Sequence, residues 1–197
     1  MNRKEMKEKA KKQLGNSIFC NTWLMAVLIC FIYSALIGAT TSLSIGILGL
    51  LIAGPLAYGI SYIFLNHARD NQPMKLEELF KGFSSDFGNN FILSLMSTIF
   101  IFLWLLLFII PGIIKAYAYS MAFYVKVDHP EYNWKQCLDE SIKITNGHKM
   151  ELFILDLSFI GWYIVGALCL GIGIAWVEPY KTATKANYYE KLKELTI

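Results

Sequence analysis

FILSLMSTIFIFLWLLLFII, then PG, then IIKAYAYSMAFYVKV, residues 91 to 127, decides the fold. The first twenty residues carry no charge, and as a helix they extend about 30 Å, the thickness of a bilayer's hydrocarbon core. Pro111-Gly112 then predicts a tight turn, and a shorter, aromatic-rich segment returns with Lys115 just beyond the break. The stretch reads as a helical hairpin through a membrane.

Composition agrees with that reading. The chain is 55% hydrophobic and 17% charged, against roughly a quarter charged in soluble domains. Its apolar residues stand in uninterrupted blocks rather than at amphipathic spacing. A net charge of +3, with no basic face interleaved with aromatics, argues against nucleic acid as a partner. Cys20, Cys30, Cys137 and Cys169 are far apart and form no CxxC pair, so neither a disulfide nor a zinc site is expected.

The flanking segments extend the pattern through a single membrane domain, residues 1–197. Residues 1–16 hold six Lys/Arg against two Glu, with Met6, Ala10 and Leu14 at helical spacing. This predicts a basic arm lying at a membrane surface. The apolar run 17–39 is too long for a signal-peptide core and lacks a small-x-small exit, because Ile37 stands third from its end. It reads as an uncleaved first span. A second span covers residues 43–66, interrupted at Gly54-Pro55; whether 43–53 is its first part or a separate outer segment is open. Leu76, Leu79, Phe80 and Phe83 then make an amphipathic stripe, predicting an interfacial helix over 75–84. After the central spans 91–110 and 112–127, Trp134, Cys137, Leu138, Ser141 and Ile142 repeat the pattern over 133–146, opened by a capping box at Asn133 and Gln136. A span at 151–170 and, past Gly171-Ile172-Gly173, a more polar helix at 174–190 complete the chain.

One unit recurs in this order: an apolar helix, a Gly/Pro turn, a returning aromatic helix, an amphipathic helix. The returning segments start near Pro55, Pro111 and Pro179. Of the 18 Lys/Arg, all but Lys115 fall in the arm, the two polar connections, the inner end of the 112–127 span (Lys126) or the C-terminal part. If those regions are cytoplasmic, the chain is an all-α polytopic membrane protein of six spans in Gly/Pro-turn hairpins, with both termini inside. Five spans with the tail outside is the alternative, because 174–190 is polar for a lipid-facing helix.

Four ionisable residues then lie in or near the membrane: Lys115, Asp156, Glu178 and Lys185. Charge there is costly unless paired or facing a cavity. Counting from the turns pairs Lys115 with Glu178 at the outer end and Asp156 with Lys185 toward the inner one, with Lys181 near the same cleft. Such pairs either line a ligand site or only brace the hairpins. His67, His129 and His148 have no metal-binding spacing, and no nucleophile motif, phosphate loop or carboxylate cluster is present. Catalytic residues, metal and cofactor are therefore expected to be none.

PGIIKAYAYSMAFY, ESIKITNGHKMELFILDLSFIGW, GIGIAW and YYEKL, with LFKGF after the second span, resemble the bacterial integral membrane family filed as domain of unknown function 975. The resemblance covers nearly the whole chain. It implies a multi-pass bacterial plasma-membrane protein without an established activity, and it lends no catalytic residues. The Pro-turn hairpins also look distantly like the membrane domain of some glycerophosphodiester phosphodiesterases, whose catalytic domain this sequence lacks.

Two functions compete on the sequence. One is a non-enzymatic protein that binds or passes a lipid or small amphiphile through a polar groove between hairpins. The other is an accessory or immunity-type protein docking a protein partner through its interfacial helices. Oligomeric state is not readable from the sequence.

Overall fold

The computed structural model describes residues 3–15, 20–42, 46–168 and 173–196, which are mostly helical and include no strand. Ten α-helices follow in order. They are α1 (Arg3–Leu14), α2 (Asn21–Ser42), α3 (Gly46–Asp70), α4 (Lys81–Ser85), α5 (Phe87–Leu107), α6 (Ile109–Tyr119), α7 (Ala122–Asp128), α8 (Trp134–Ile144), α9 (Lys149–Leu168) and α10 (Ile174–Thr196). A 3-10 turn, Leu76–Phe80, leads into α4.

Among the described residues, α2, α5 and α9 are long and apolar enough to cross a membrane. Their outward faces are apolar: Leu24, Leu28 and Phe31 on α2, and Leu157, Ile160, Ile164 and Leu168 on α9, recur at helical spacing and are exposed. Only 11% of the apolar window of α5 is buried. An apolar surface this continuous is what contact with lipid requires and what water penalises. The polar residues turn inward instead. α10 packs against α1, α2, α3 and α9, and buries Thr184, Asn187, Tyr188 and Tyr189. Its polarity, which argued against a lipid-facing helix, belongs to an interior one.

Several sequence expectations are corrected. The break in the central hairpin falls at Phe108, which is extended (φ −156°, ψ 140°), not at Pro111-Gly112. Pro111 sits in the first turn of α6, where its missing N–H would have had no partner anyway. Gly112 serves the turn differently: a Cβ there would lie 2.6 Å from Leu105 Cγ and 2.9 Å from its Cα, so glycine lets α5 and α6 close. The returning segment 112–127 is two helices, parted at Ser120-Met121. The Ala118 carbonyl beside that break accepts hydrogen bonds from Ser141 (2.7 Å) and Thr145 (3.4 Å) of α8. Side-chain hydroxyls thus replace backbone donors, as buried helix breaks demand.

α3 is one helix running through Pro55, which settles the status of residues 46–53; residues 43–45, like the break at 171–172, lie outside the described residues. Pro55 and Pro179 are therefore interior to helices while Pro111 is in a first turn, and the three prolines of the repeat do not mark one structural position. What does recur is the packing of successive helices α2 on α3, α5 on α6 and α9 on α10.

The segments read as interfacial lie on protein. Met6, Ala10 and Leu14 of α1 are buried, and α1 packs along α10. In the 75–84 segment Leu79 is buried while Phe80 and Phe83 are exposed. This segment folds back along α3, its backbone meeting Gly59, about 16 Å before the end of that helix at 1.5 Å per residue. α8 carries the expected capping box, with Asn133 N–H donating to Gln136 Oε1 (2.9 Å) and Gln136 N–H to Asn133 Oδ1 (3.0 Å). Its stripe of Cys137, Leu138, Ser141 and Ile144 is buried against α5, α6 and α7.

Candidate functional site: a polar run between the last two long helices

Asp156 and Tyr163 stand seven residues apart on α9, and Glu178 and Lys185 seven apart on α10. Seven residues are about two helical turns, so each pair shares a face. With the helices antiparallel, Asp156 meets Lys185 and Tyr163 meets Glu178 at the same register. Lys185 Nζ lies 3.1 Å from Asp156 Oδ2, and Lys181, one turn away, lies 3.9 Å from Oδ1. Tyr117 of α6 adds a hydrogen bond to Oδ2 at 3.2 Å. Two turns further on, Tyr163 Oη donates to Glu178 Oε1 at 2.6 Å. The Lys181 ammonium, 5.5 Å from the centre of the Tyr163 ring, links the two clusters.

The expected pair Asp156–Lys185 is present. The expected pair Lys115–Glu178 is not. Lys115 belongs to α6, which packs on α5, and its ammonium lies over the Trp104 ring (5.2 Å) and near Tyr119 (6.0 Å) within that hairpin. Glu178 takes its partner from α9, the helix that α10 packs on. Position relative to the predicted turns could not tell these apart. The seven-residue register of Tyr163 and Glu178 could have, had hydroxyls been weighed beside charges.

Two features give the run an open chemistry. Asp156 Oδ1 is buried and makes no hydrogen bond among the described residues, Lys181 lying 3.9 Å away. Glu178, held by Tyr163 among the described residues, borders a cavity of about 300 Å³ lined by Cys30, Tyr33 and Ser34 of α2, Ile60 of α3, and Thr182. Together these offer carboxylate acceptors, two ammonium donors and several hydroxyls in apolar surroundings, suited to a polar group attached to something apolar. Among the described residues no group of three or more His, Cys, Asp or Glu could hold a metal. His129 stacks on Tyr132 and His148 reaches Glu151, as polar side chains at helix ends do.

Two ionic clusters outside the run escaped the sequence reading. Asp128, with its side chain 3% exposed, pairs with Arg69 (2.6 Å) and Lys193 (2.7 Å) and accepts from Tyr189 (2.8 Å). Arg69 also holds Glu190. Burial works to raise the Asp128 carboxyl, but hydrogen bonds from Lys193, Arg69 and Tyr189 outweigh it and hold the group below the usual carboxylate range. This cluster ties the ends of α3, α7 and α10. The second centres on Lys126, whose side chain is 1% exposed and pairs with Asp86 at 2.9 Å.

The family described as "Protein of unknown function (DUF975)" matches residues 1–118 and 105–196. No curated protein and no solved structure matches, so the likeness to the membrane domain of glycerophosphodiester phosphodiesterases has no match behind it.

Proposed function

We propose that this chain, which belongs to the DUF975 family of proteins of unknown function, binds or transports a lipid or small amphiphile in the polar run between α9 and α10, without catalysing a reaction on it. The observation that carries the reading is Asp156. One of its oxygens is held by Lys185 and Tyr117, while the other is buried, 3.9 Å from Lys181, and without a hydrogen bond among the described residues. A buried acceptor without a donor costs about 1–3 kcal/mol, and a hydroxyl or amine of a bound headgroup would relieve that cost. The neighbouring cavity at Glu178 extends the site, and the apolar faces of α2 and α9 offer the bilayer as the source of the ligand. Lys115 is no part of it.

The charge pattern goes with six crossings of a bacterial plasma membrane and both termini cytoplasmic. Five crossings would put the C-terminus outside, and a C-terminal reporter active only outside the cell would then light up.

The competing reading, docking of a protein partner, rests on the charged outer faces of the short helices, including Glu77 and Lys135. One experiment separates the two. Native mass spectrometry of the wild type in mild detergent should show a retained small-molecule mass. Asp156→Ala should release most of it, and the double variant Glu77→Ala/Lys135→Ala should keep it. A bare wild type, or equal loss in both variants, would sink the binding reading.

A further inference from the structure

On another side of α10, facing away from Glu178, a crevice of about 390 Å³ opens between α2, α9 and α10. Three of the five tryptophans line it, Trp23, Trp162 and Trp176, together with Val177, and its floor is Gly166 against Gly173. These two glycines approach so closely that a Cβ on Gly166 would lie 2.9 Å from the Gly173 carbonyl carbon. One charged residue, Lys11 of α1, stands at this otherwise apolar place, and no acid does so among the described lining residues. α1 is held there by Lys7, one turn earlier, whose ammonium lies 4.1 Å from the centre of the Phe159 ring and 3.4 Å from the Ser158 carbonyl. The second polar group is the Trp23 indole. Its ring is 5% exposed, and its Nε1–H is buried with no acceptor among the described residues.

Lys11 and the Trp23 indole are donors, one of them cationic; the Tyr180 hydroxyl joins them at the lining, and the rest is aromatic, aliphatic or glycine. We infer that this crevice is a binding site for an anionic phospholipid of the surrounding bilayer. The phosphate accepts from Lys11 Nζ and Trp23 Nε1–H, and one acyl chain lies along Trp162, Trp176 and Val177. An uncharged apolar chain alone would leave the Trp23 donor unbonded, and a cationic headgroup would meet Lys11. Charge and hydrogen-bonding therefore select the same ligand class. The inference uses none of the residues of the α9–α10 polar run and stands or falls separately from it.

The lining tryptophans report on the site. The full chain, reconstituted in phosphatidylcholine vesicles, is titrated with phosphatidylglycerol carrying brominated acyl chains, which quench indole fluorescence on contact, or with brominated phosphatidylcholine. The wild type should quench at a mole fraction of the anionic lipid about fivefold lower than of the zwitterionic one: both carry the accepting phosphate, but only the choline ammonium opposes Lys11, and net negative charge beside one lysine contributes about 1 kcal/mol, roughly a factor of five. Lys11→Gln should abolish that preference. Trp23→Phe should weaken it without lowering thermal stability, because the indole N–H it removes has no partner among the described residues. Lys12→Gln, an exposed neighbour that does not line the crevice, should leave it intact. Identical curves for the two lipids would reduce the crevice to ordinary lipid contact and overturn the inference. So would equal losses in the Lys11 and Lys12 variants, which would mean general attraction to a basic helix.

Discussion

Lys126→Met should cost the fold about 1.5–3 kcal/mol, the range for hydrogen bonds made by a charged group, measured as loss of thermal stability in detergent, because the lysine is buried while Asp86 is 34% exposed. All three ammonium protons are used: Nζ lies 2.9 Å from Asp86 Oδ2, 2.8 Å from the Pro130 carbonyl and 2.7 Å from the Tyr132 carbonyl. Methionine keeps most of the volume, so the loss comes from polar groups left unpartnered rather than from a void. It also loosens three elements together, because Asp86 caps α5 by accepting from Asn89 N–H (3.4 Å), Lys126 lies on α7, and the two carbonyls belong to the connection into α8. The acid limb of stability supplies an independent check. Burial works to raise the Asp86 carboxyl, but hydrogen bonds from Lys126 and Asn89 outweigh it and hold the group below the usual range. A carboxyl depressed in the folded state adds stability that is complete above its unfolded pKa, about 3.9, and is lost as pH falls through the folded value. The wild type should therefore lose stability below about pH 4, and Lys126→Met should show a smaller drop, with Asp128 still contributing. A cost under about 1 kcal/mol would mean that Lys126 reaches water in the folded protein.

Gly59→Ala should be comparably damaging, at about 3 kcal/mol, the upper part of the range for overpacking. A Cβ at that position would overlap the Leu79 carbonyl and lie 2.6 Å and 2.9 Å from its carbonyl carbon and Cα. These are backbone atoms of the segment folded along α3, and they cannot rotate aside. Gly82 makes the reciprocal contact one turn on, against the backbone of Pro55. Gly161 is the internal control. A Cβ there meets nothing within 4 Å, and alanine favours a helix by about 0.5–1 kcal/mol, so Gly161→Ala should be neutral or mildly stabilising. Thermal unfolding of the two variants side by side checks both expectations. Equal effects would mean that the polar segment does not lie along α3.

Periodicity made the all-helical architecture and the apolar stripes of α1 and α8 legible, because burial against protein and burial against lipid impose the same spacing. For that reason it could not say which of the two covers a stripe: Met6, Ala10 and Leu14 are covered by α10 rather than by lipid. Proline was read as marking a turn at Gly54-Pro55, at Pro111-Gly112 and near Pro179. Pro55 shows why that fails, since a helix packed in a bundle tolerates an interior proline when neighbours compensate. The backbone contacts at Gly59 and Gly82 leave no periodic trace, because an absent side chain favours no face.

At the candidate site the sequence revealed Asp156 and Lys185, because charges inside apolar runs stand out. Tyr163 was lost among aromatics of ordinary membrane composition, and Lys126 and Asp128 where the 112–127 span gives way to a polar connection. Their roles depend on tertiary proximity, Lys126 to Asp86 and Asp128 to Arg69 and Lys193, over separations that no local pattern encodes.

Glu178 belongs to a polar run along α9 and is not the partner of Lys115, and the proposed binding site depends on that register. A double-mutant cycle in stability tests it most directly, combining Glu178→Gln with Tyr163→Phe in one cycle and with Lys115→Met in the other. Contacting residues couple by about 0.5–3 kcal/mol, while distant ones add within about 0.5 kcal/mol. Coupling of about 1 kcal/mol or more between Tyr163 and Glu178, with additivity for Lys115, is the predicted result. The reverse pattern would contradict the register on which the proposed binding site is built.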